Sequence, residues 1–267
     1  MSKVVLITGA SSGIGKAIGH YLSNKGFVVY GTSRNPKEDA TSKMKMIALD
    51  VLDTNSIEKA VGSIIENEGR LDVLVNNAGM GITGPVEDTP TSEMRRVFNT
   101  NFFGALDVVK EVLPQMREQG SGLVINVTSI AGYMGLPFRG IYSASKSAFA
   151  IATEALSMEA KQFGVDVVSV APGDFATNIA AGRYHTPVFE DSAYKEKYKE
   201  NLALMNTHVD SGMNPVVLAK KVDQIINTKN RKIHYKVGGF MEKFSIVLKR
   251  MLSDRTYEKL LMNHYKL

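Results

Sequence analysis

The chain has 267 residues, 44% hydrophobic and 22% charged, an ordinary globular mixture. It contains no cysteine, which excludes disulfides, thiolate metal sites and cysteine nucleophiles. The net charge of +5 is uneven: residues 229–267 hold ten Lys/Arg and three Asp/Glu, a balance of +7 that leaves −2 for the rest. A nucleic-acid-binding body needs a basic face of its own, so none is expected. No apolar run reaches the ~18 residues of a membrane span. Val4 to Ile7 is too short for a secretory signal, so a soluble, cytoplasmic protein is expected.

In chain order, short buried-strand patterns alternate with helical ones. Val4-Val5-Leu6-Ile7-Thr8 is apolar on both faces, as a buried parallel strand is. Gly9-Ala10-Ser11-Ser12-Gly13-Ile14-Gly15 follows and opens a helix. Glycines there let the backbone approach a pyrophosphate, and the helix N-terminus offers free N–H groups and partial positive charge. The spacing GxxxGxG also suits a plain turn. The helical repeat Ile14, Ala17, Ile18, Tyr21, Leu22 stops before Gly26. Phe27 to Tyr30 reads as a second strand, followed by Arg34 with no acid from Phe27 to Lys37. A site preferring NAD would put an acid near here for the ribose 2′-OH; Arg34 suits a 2′-phosphate, or is simply solvated.

Met46 to Leu49 is a third, weaker strand, before Asp50-Val51. Ser56 reads as the start of a helix carrying Ile57, Val61, Ile64 and Ile65. Leu71 to Val75 is the fourth strand, leading into Asn76-Asn77-Ala78-Gly79. Asparagines there can satisfy neighbouring backbone groups, as in any turn. The helical pattern from Met94 to Met116 contains Asn99-Thr100-Asn101 and Gly104, poor interior helix formers, which suggests a functional interruption. Leu123 to Val127 is the fifth strand, and Thr128-Ser129 follow it. Tyr142 and Lys146 stand at i and i+4 and share a helix face. A phenol ordinarily titrates near ~10, so it needs a nearby cation to exchange protons around neutrality. Val165 to Val170 and Ile233 to Val237 complete the strands. Strands alternating with helices imply βαβ units in a single-domain α/β fold, a doubly wound parallel sheet with helices on both faces. Ligands then sit beyond the carboxyl ends of the strands.

Together, TGASSGIG, Asp50-Val51, NNAG, Asn101 with Gly104, Ser129, YSASK and Pro172-Gly173 with Thr177 resemble the short-chain dehydrogenase/reductase family over about Lys3 to Thr177. The resemblance implies a Rossmann-type fold and an oxidoreductase transferring hydride between NADP(H) and a carbonyl or alcohol carbon. It implies Tyr142 as general acid/base, Ser129 holding the substrate oxygen, Lys146 binding the nicotinamide ribose, and Asn101 holding a water. Gly9, Ser11, Ser12, Gly13, Ile14, Gly15, Arg34, Asp50, Val51, Asn77, Ala78, Gly79, Pro172, Gly173 and Thr177 would bind cofactor with Tyr142 and Lys146. No metal site is expected.

GMGITGPVED and YMGLPFRGIYSASK look most like the 17β-hydroxysteroid and retinol dehydrogenase branch. That implies an apolar steroid-, retinoid- or lipid-like substrate near Met80, Ser129, Tyr133, Met134, Leu136, Phe138 and Tyr142, with about half of the apolar set in the core. The alternatives are a 3-oxoacyl thioester reductase, or a nucleotide-sensing regulator, which would be expected to lose Tyr, Lys or Ser. Residues 178–212, polar and with Tyr184, His185, Tyr194, Tyr198 and His208, are expected to form a mobile substrate lobe. Residues 238–267 form an amphipathic basic extension, with Phe240, Phe244, Val247, Leu248 and Met251 on one helical face among Lys243, Lys249, Arg250 and Arg255. That face could border the pocket, meet a second subunit or rest on anionic lipid as a peripheral contact. The pocket role is preferred, and removing the tail is expected to spare the cofactor site. A homo-oligomer, dimer or tetramer, is expected.

Overall fold

The computed structural model describes residues 2–37, 42–176, 182–210 and 212–267. Strands β1 (Val4–Ile7), β2 (Val28–Ser33), β3 (Lys45–Ala48), β4 (Val73–Asn76), β6 (Gly122–Val127), β7 (Val165–Pro172) and β9 (His234–Val237) form one sheet. Their order is β3-β2-β1-β4-β6-β7-β9, with every pair parallel. These are the seven predicted strands, with ends that agree within three residues. Helices α1 (Gly13–Asn24) and α7 (Val216–Asn227) cover one face; α2 (Thr54–Glu68) and α4 (Gly104–Glu118) cover the other.

The apolar runs follow from that double cover. Val5 and Ile7 join a cluster with Ile18, Leu22, Leu218 and Val222, whereas Val4 and Leu6 join one with Ile57, Ile64, Val108 and Val112. Successive strand residues point to opposite faces, so both must be apolar. The strand order reverses between β1 and β4, whose carboxyl ends therefore border a crevice.

Two predicted boundaries move for local reasons. Helix α2 starts at Thr54 because Asp53 caps it, its carboxylate accepting from Asn55 and Ser56 N–H. Strand β4 starts at Val73 because Gln119 takes both backbone groups of Leu71, at 2.9 and 3.0 Å.

The helical pattern from Met94 to Met116 is broken where expected. Helix α3 (Thr91–Phe98) passes into a π-helical turn, Asn99–Phe103, before α4. Gly104 lies where a Cβ would fall 2.6 Å from the Val51 carbonyl, so a side chain there would push α4 off the loop after β3.

The lobe is more ordered than its polarity suggests. A two-residue strand, β8 (Tyr184–His185), pairs with β5 (Ile82–Thr83), ahead of helix α6 (Lys195–Asp210). Tyr198 is fully buried and donates to the Thr83 carbonyl at 3.0 Å, and His185 Nδ1 meets Thr83 Oγ1 at 2.9 Å. The rings of these two residues thus face the domain and bond it. The His208 side chain lies outside the description. Helices α5 (Gly140–Lys161), α8 (Phe240–Met251) and α9 (Asp254–Tyr265) complete the fold. Among the described residues no helix is long and apolar enough to cross a membrane.

Candidate active site

Residues from the ends of five strands converge at the crevice. After β1, Gly9 adopts φ +66°, where a Cβ would also lie 2.9 Å from the Ala78 Cα. At Gly15 a Cβ would sit 2.4 Å from the Gly9 carbonyl oxygen, so the α1 N-terminus can dock only with glycine there. Ser12 is the N-cap but its hydroxyl makes no capping bond, and the first turn holds no acid. Ser11 and Ser12 are exposed, so this helix end keeps its free donors and positive dipole open to a ligand.

After β4, Asn77 donates through Nδ2 to the Thr8 and Gly9 carbonyls, both at 3.0 Å. Thr8 Oγ1 accepts from the N–H groups of Asn77 and Ala78, each at 3.0 Å. The paired asparagines thus do what their position suggested. Asn77 ties the β4 loop to the β1 loop. Asn76, fully buried, donates to Asn126 Oδ1 and the Ala105 carbonyl.

Asn101, 1% exposed within the π-helical turn, brackets Met80. Its Oδ1 accepts from Met80 N–H at 2.8 Å and its Nδ2 donates to the Met80 carbonyl at 2.9 Å and to Ser145 Oγ at 3.1 Å. A Cβ on Gly79 would lie 3.1 Å from Asn101 Oδ1 and 3.4 Å from Lys146 Nζ, so both side chains converge on that glycine. Lys146, on α5, is buried and donates to the Val127 carbonyl at 3.0 Å. Burial lowers its pKa from 10.5 to about 8.

After β6, Ser129 Oγ accepts from Ala131 N–H at 3.1 Å and caps the 3-10 turn Ile130–Tyr133. One cleft is lined by Ser129, Tyr142, Ile14, Pro172 and Gly173 from the predicted set, together with Arg139, Asp174 and Arg183. Arg34 and Asp50 lie further out at the ends of β2 and β3, Arg34 exposed, with Val51 buried against α4. Thr177 lies outside the described residues.

The predicted apolar pocket set is only partly placed at the cleft. Met134 is buried with Ile130, Ala171, Ile246 and Tyr257 under the C-terminal helices, and Leu136, partly buried, packs against that cluster and lines a separate pocket against the tail, so neither lines this cleft. Tyr133 joins that cluster too. Phe138 stacks near Tyr198, with ring centres 5.4 Å apart, and Met80 is held by Asn101.

The tail reaches the site by residues its apolar pattern did not single out. Glu242, in the first turn of α8, accepts from Asp174 N–H at 2.6 Å and from Gly239 N–H at 2.5 Å. A Cβ on Gly173 would fall 2.2 Å from Glu242 Oε2, so the carboxylate rests on the backbone just after β7. The tail therefore touches Gly173, one of the residues expected to bind cofactor, which sequence position alone did not suggest. Tyr265, near the end of α9, is buried and faces Arg139; burial raises its pKa and that cation opposes the rise. Of the predicted face, Phe240, Phe244, Val247 and Met251 remain exposed and Leu248 is partly buried, packing inward with the buried Ile246.

A short chain dehydrogenase family model matches residues 3–187. The chain belongs to the short-chain dehydrogenase family. It is 39% identical over 264 residues to the 3-ketodihydrosphingosine reductase of Bacteroides thetaiotaomicron, covering 98% of each. It is 36% identical over 180 residues to retinol dehydrogenase 8 of Homo sapiens, covering 66% of this chain and 60% of that one. A short-chain dehydrogenase structure from Streptomyces avermitilis aligns with a TM-score of 0.83 at 30% identity, covering 99% of this chain and 97% of that one. ElxO with NADP bound aligns at 0.73 and 26% identity, covering 89% and 97%. The chain is thus an oxidoreductase with a nicotinamide cofactor, as its motifs implied.

The residues fit such a group. The glycine turn leaves uncapped donors for phosphate oxygens. Lys146 uses one donor on Val127, and Gly79 beside it leaves space for a ring or ribose.

Two outcomes follow. Between about pH 8 and 10.5 the unfolded chain holds a proton at Lys146 that the folded chain gives up, so the site's contribution to stability rises with pH across that window. Denaturant unfolding at pH 7.5 and 9.5 should show that rise in the wild type and not in Lys146→Met; parallel profiles would contradict the buried amine. Glu242→Ala leaves the Asp174 and Gly239 N–H groups without their acceptor and should cost about 1–3 kcal/mol of stability. Its cofactor dissociation constant should rise as well, read by quenching of protein fluorescence on titration.

Proposed function

We propose that this chain is an NADP(H)-dependent reductase of a lipid-like apolar ketone or aldehyde, running through its alcohol in reverse. The observation that carries the reading is the single cleft in which Tyr142 and Ser129 stand against Ile14 and Gly173, with buried Lys146 one helical turn from Tyr142. The 39% identical relative is a 3-ketodihydrosphingosine reductase, which favours a ketone on a long chain over a steroid or retinoid.

The nicotinamide, when bound, supplies the hydride. Tyr142 donates a proton to the carbonyl oxygen as charge builds on it, and Ser129 Oγ holds the same oxygen by a second hydrogen bond. Lys146 anchors the ribose and keeps a positive charge beneath the phenol. Asn101 acts as a positioning residue: its clamp on Met80 fixes the strand end that carries Gly79. The glycine turn from Gly9 to Gly15 binds the diphosphate, Asp50 and Val51 border the adenine, and Arg34 forks onto a 2′-phosphate.

Tyr142→Phe should lower kcat by roughly 100- to 10,000-fold while leaving cofactor affinity within about twofold, because only the proton donor is lost. Cofactor absorbance over a panel of long-chain ketones, steroids, retinoids and acyl thioesters reads both the rate and the substrate. Arg34→Asp should weaken NADPH binding by about 10- to 100-fold, the worth of a charge-assisted hydrogen bond, and shift preference to NADH. Equal use of NADH and NADPH by the wild type would refute the assignment of Arg34.

A further inference from the structure

The cleft holds two cations that the reaction above does not use. Arg139 caps the N-terminus of α5, three residues before Tyr142, and its guanidinium carbon lies 5.5 Å from the Tyr142 ring centre. It is delivered there by Phe138, which adopts φ +57°, a conformation costly for a residue with a side chain. Arg183 comes from the other wall, one residue before β8. Its side chain lies across Gly81, where a Cβ would fall 3.0 Å from the Arg183 Cγ.

Arg183 Nη1 is buried and has no hydrogen-bond partner. Burial and the charge of Arg139 both lower its pKa, although Asp174 acts the other way. Asp174 is the one carboxylate lining the cleft among the described residues, and it forms no ion pair there with either arginine. A partly buried guanidinium beside a like charge, with a buried donor left unused, is costly unless something negative fills the space. In a cleft that opens on a catalytic tyrosine, a bound molecule fills it.

We infer that Arg139 and Arg183 form an anion subsite of this cleft, seating a carboxylate or phosphate oxygen beside the Tyr142 ring. The planar forks of two arginines suit such oxygens. Two molecules can bring the anion: an acidic head group on the ketone, or the cofactor diphosphate. The first source rests on the ketone-reductase reading above; the second does not. If the substrate brings it, an amino ketone is disfavoured, since its ammonium would meet two guanidiniums and only Asp174 in its favour.

The test compares wild type, Arg183→Gln and Arg183→Lys by titration calorimetry. The probes are a medium-chain oxo carboxylate, its methyl ester and NADPH, and both ketones are also assayed for turnover. With a substrate anion, Arg183→Gln should lose about tenfold or more in affinity and KM for the carboxylate, with the ester and NADPH within about twofold. With the cofactor anion, NADPH affinity should fall by about tenfold or more and the acid-to-ester ratio should hold. Either result supports the subsite and names its occupant. Arg183→Lys, which keeps the charge and loses the fork, should recover part of the loss, and it carries the comparison if the glutamine variant folds poorly. Equal loss on acid and ester with NADPH affinity unchanged, or no change on any of the three, would overturn the subsite. If the wild type turns over neither ketone, the function proposed above is what fails, and the calorimetric comparison still reads the two arginines.

Discussion

Placing one ammonium group in the dry centre of the molecule constrains the rest of the site. Lys146 is buried, its pKa falls to about 8, and it donates to the Val127 carbonyl. A buried cation is costly, so its surroundings must hold it without displacing it. The 3-10 turn after Ser129 presses on α5, where a Cβ on Gly132 would lie 3.0 Å from the Lys146 carbonyl carbon. Asn101 fixes Met80, and through it Gly79, next to the ammonium. The π-helical turn is the price of that arrangement, since it lets Asn101 leave the helix face it would otherwise share. Such turns recur at functional sites because they turn a side chain out of register.

Much of this was legible in the residues. Seven apolar runs marked seven strands, because a parallel sheet covered on both sides requires unbroken hydrophobicity. The misfit of Asn99 to Asn101 inside a good helical pattern marked the π turn, because local propensity conflicted with its surroundings. Glycines at positions 9, 15 and 104 marked close backbone approaches. What stayed hidden depended on tertiary partners. Asp53 replaced Ser56 as the start of α2, and Gln119 kept Leu71 out of β4, through contacts no periodicity encodes. Arg139 had a weak signal, three residues before Tyr142 on the same helix. Arg183 had none, since only the β5–β8 pairing carries it to the cleft.

The tail shows where a sound pattern leads to a wrong placement. Phe240, Phe244, Val247 and Met251 do share a helical face, but that face is exposed. The face that packs inward is marked by Ile246, which sits with Tyr257 against Met134. Periodicity identifies an apolar stripe; it does not say which stripe meets the domain when a helix carries two. The cluster below explains why Met134 and Leu136, apolar and close in sequence to Tyr142, do not line the cleft.

Glu242 then decides how the two parts of the chain relate. Its carboxylate accepts from Asp174 and Gly239 and lies against Gly173, so one acid clamps the end of β7 to the start of α8. Asp174 and Phe175 line the cleft directly beyond that clamp. Tyr265 reaches Arg139 from α9, and Asn201 of α6 donates to the Tyr265 carbonyl at 2.9 Å. The strand ends therefore supply Ser129, Pro172 and Gly173 to the cleft, while contacts from the lobe and tail hold its walls. Motifs on the strand ends report the class of chemistry. The charge lining the cleft is set by Arg139, Asp174 and Arg183, and each is held by a contact made outside those motifs.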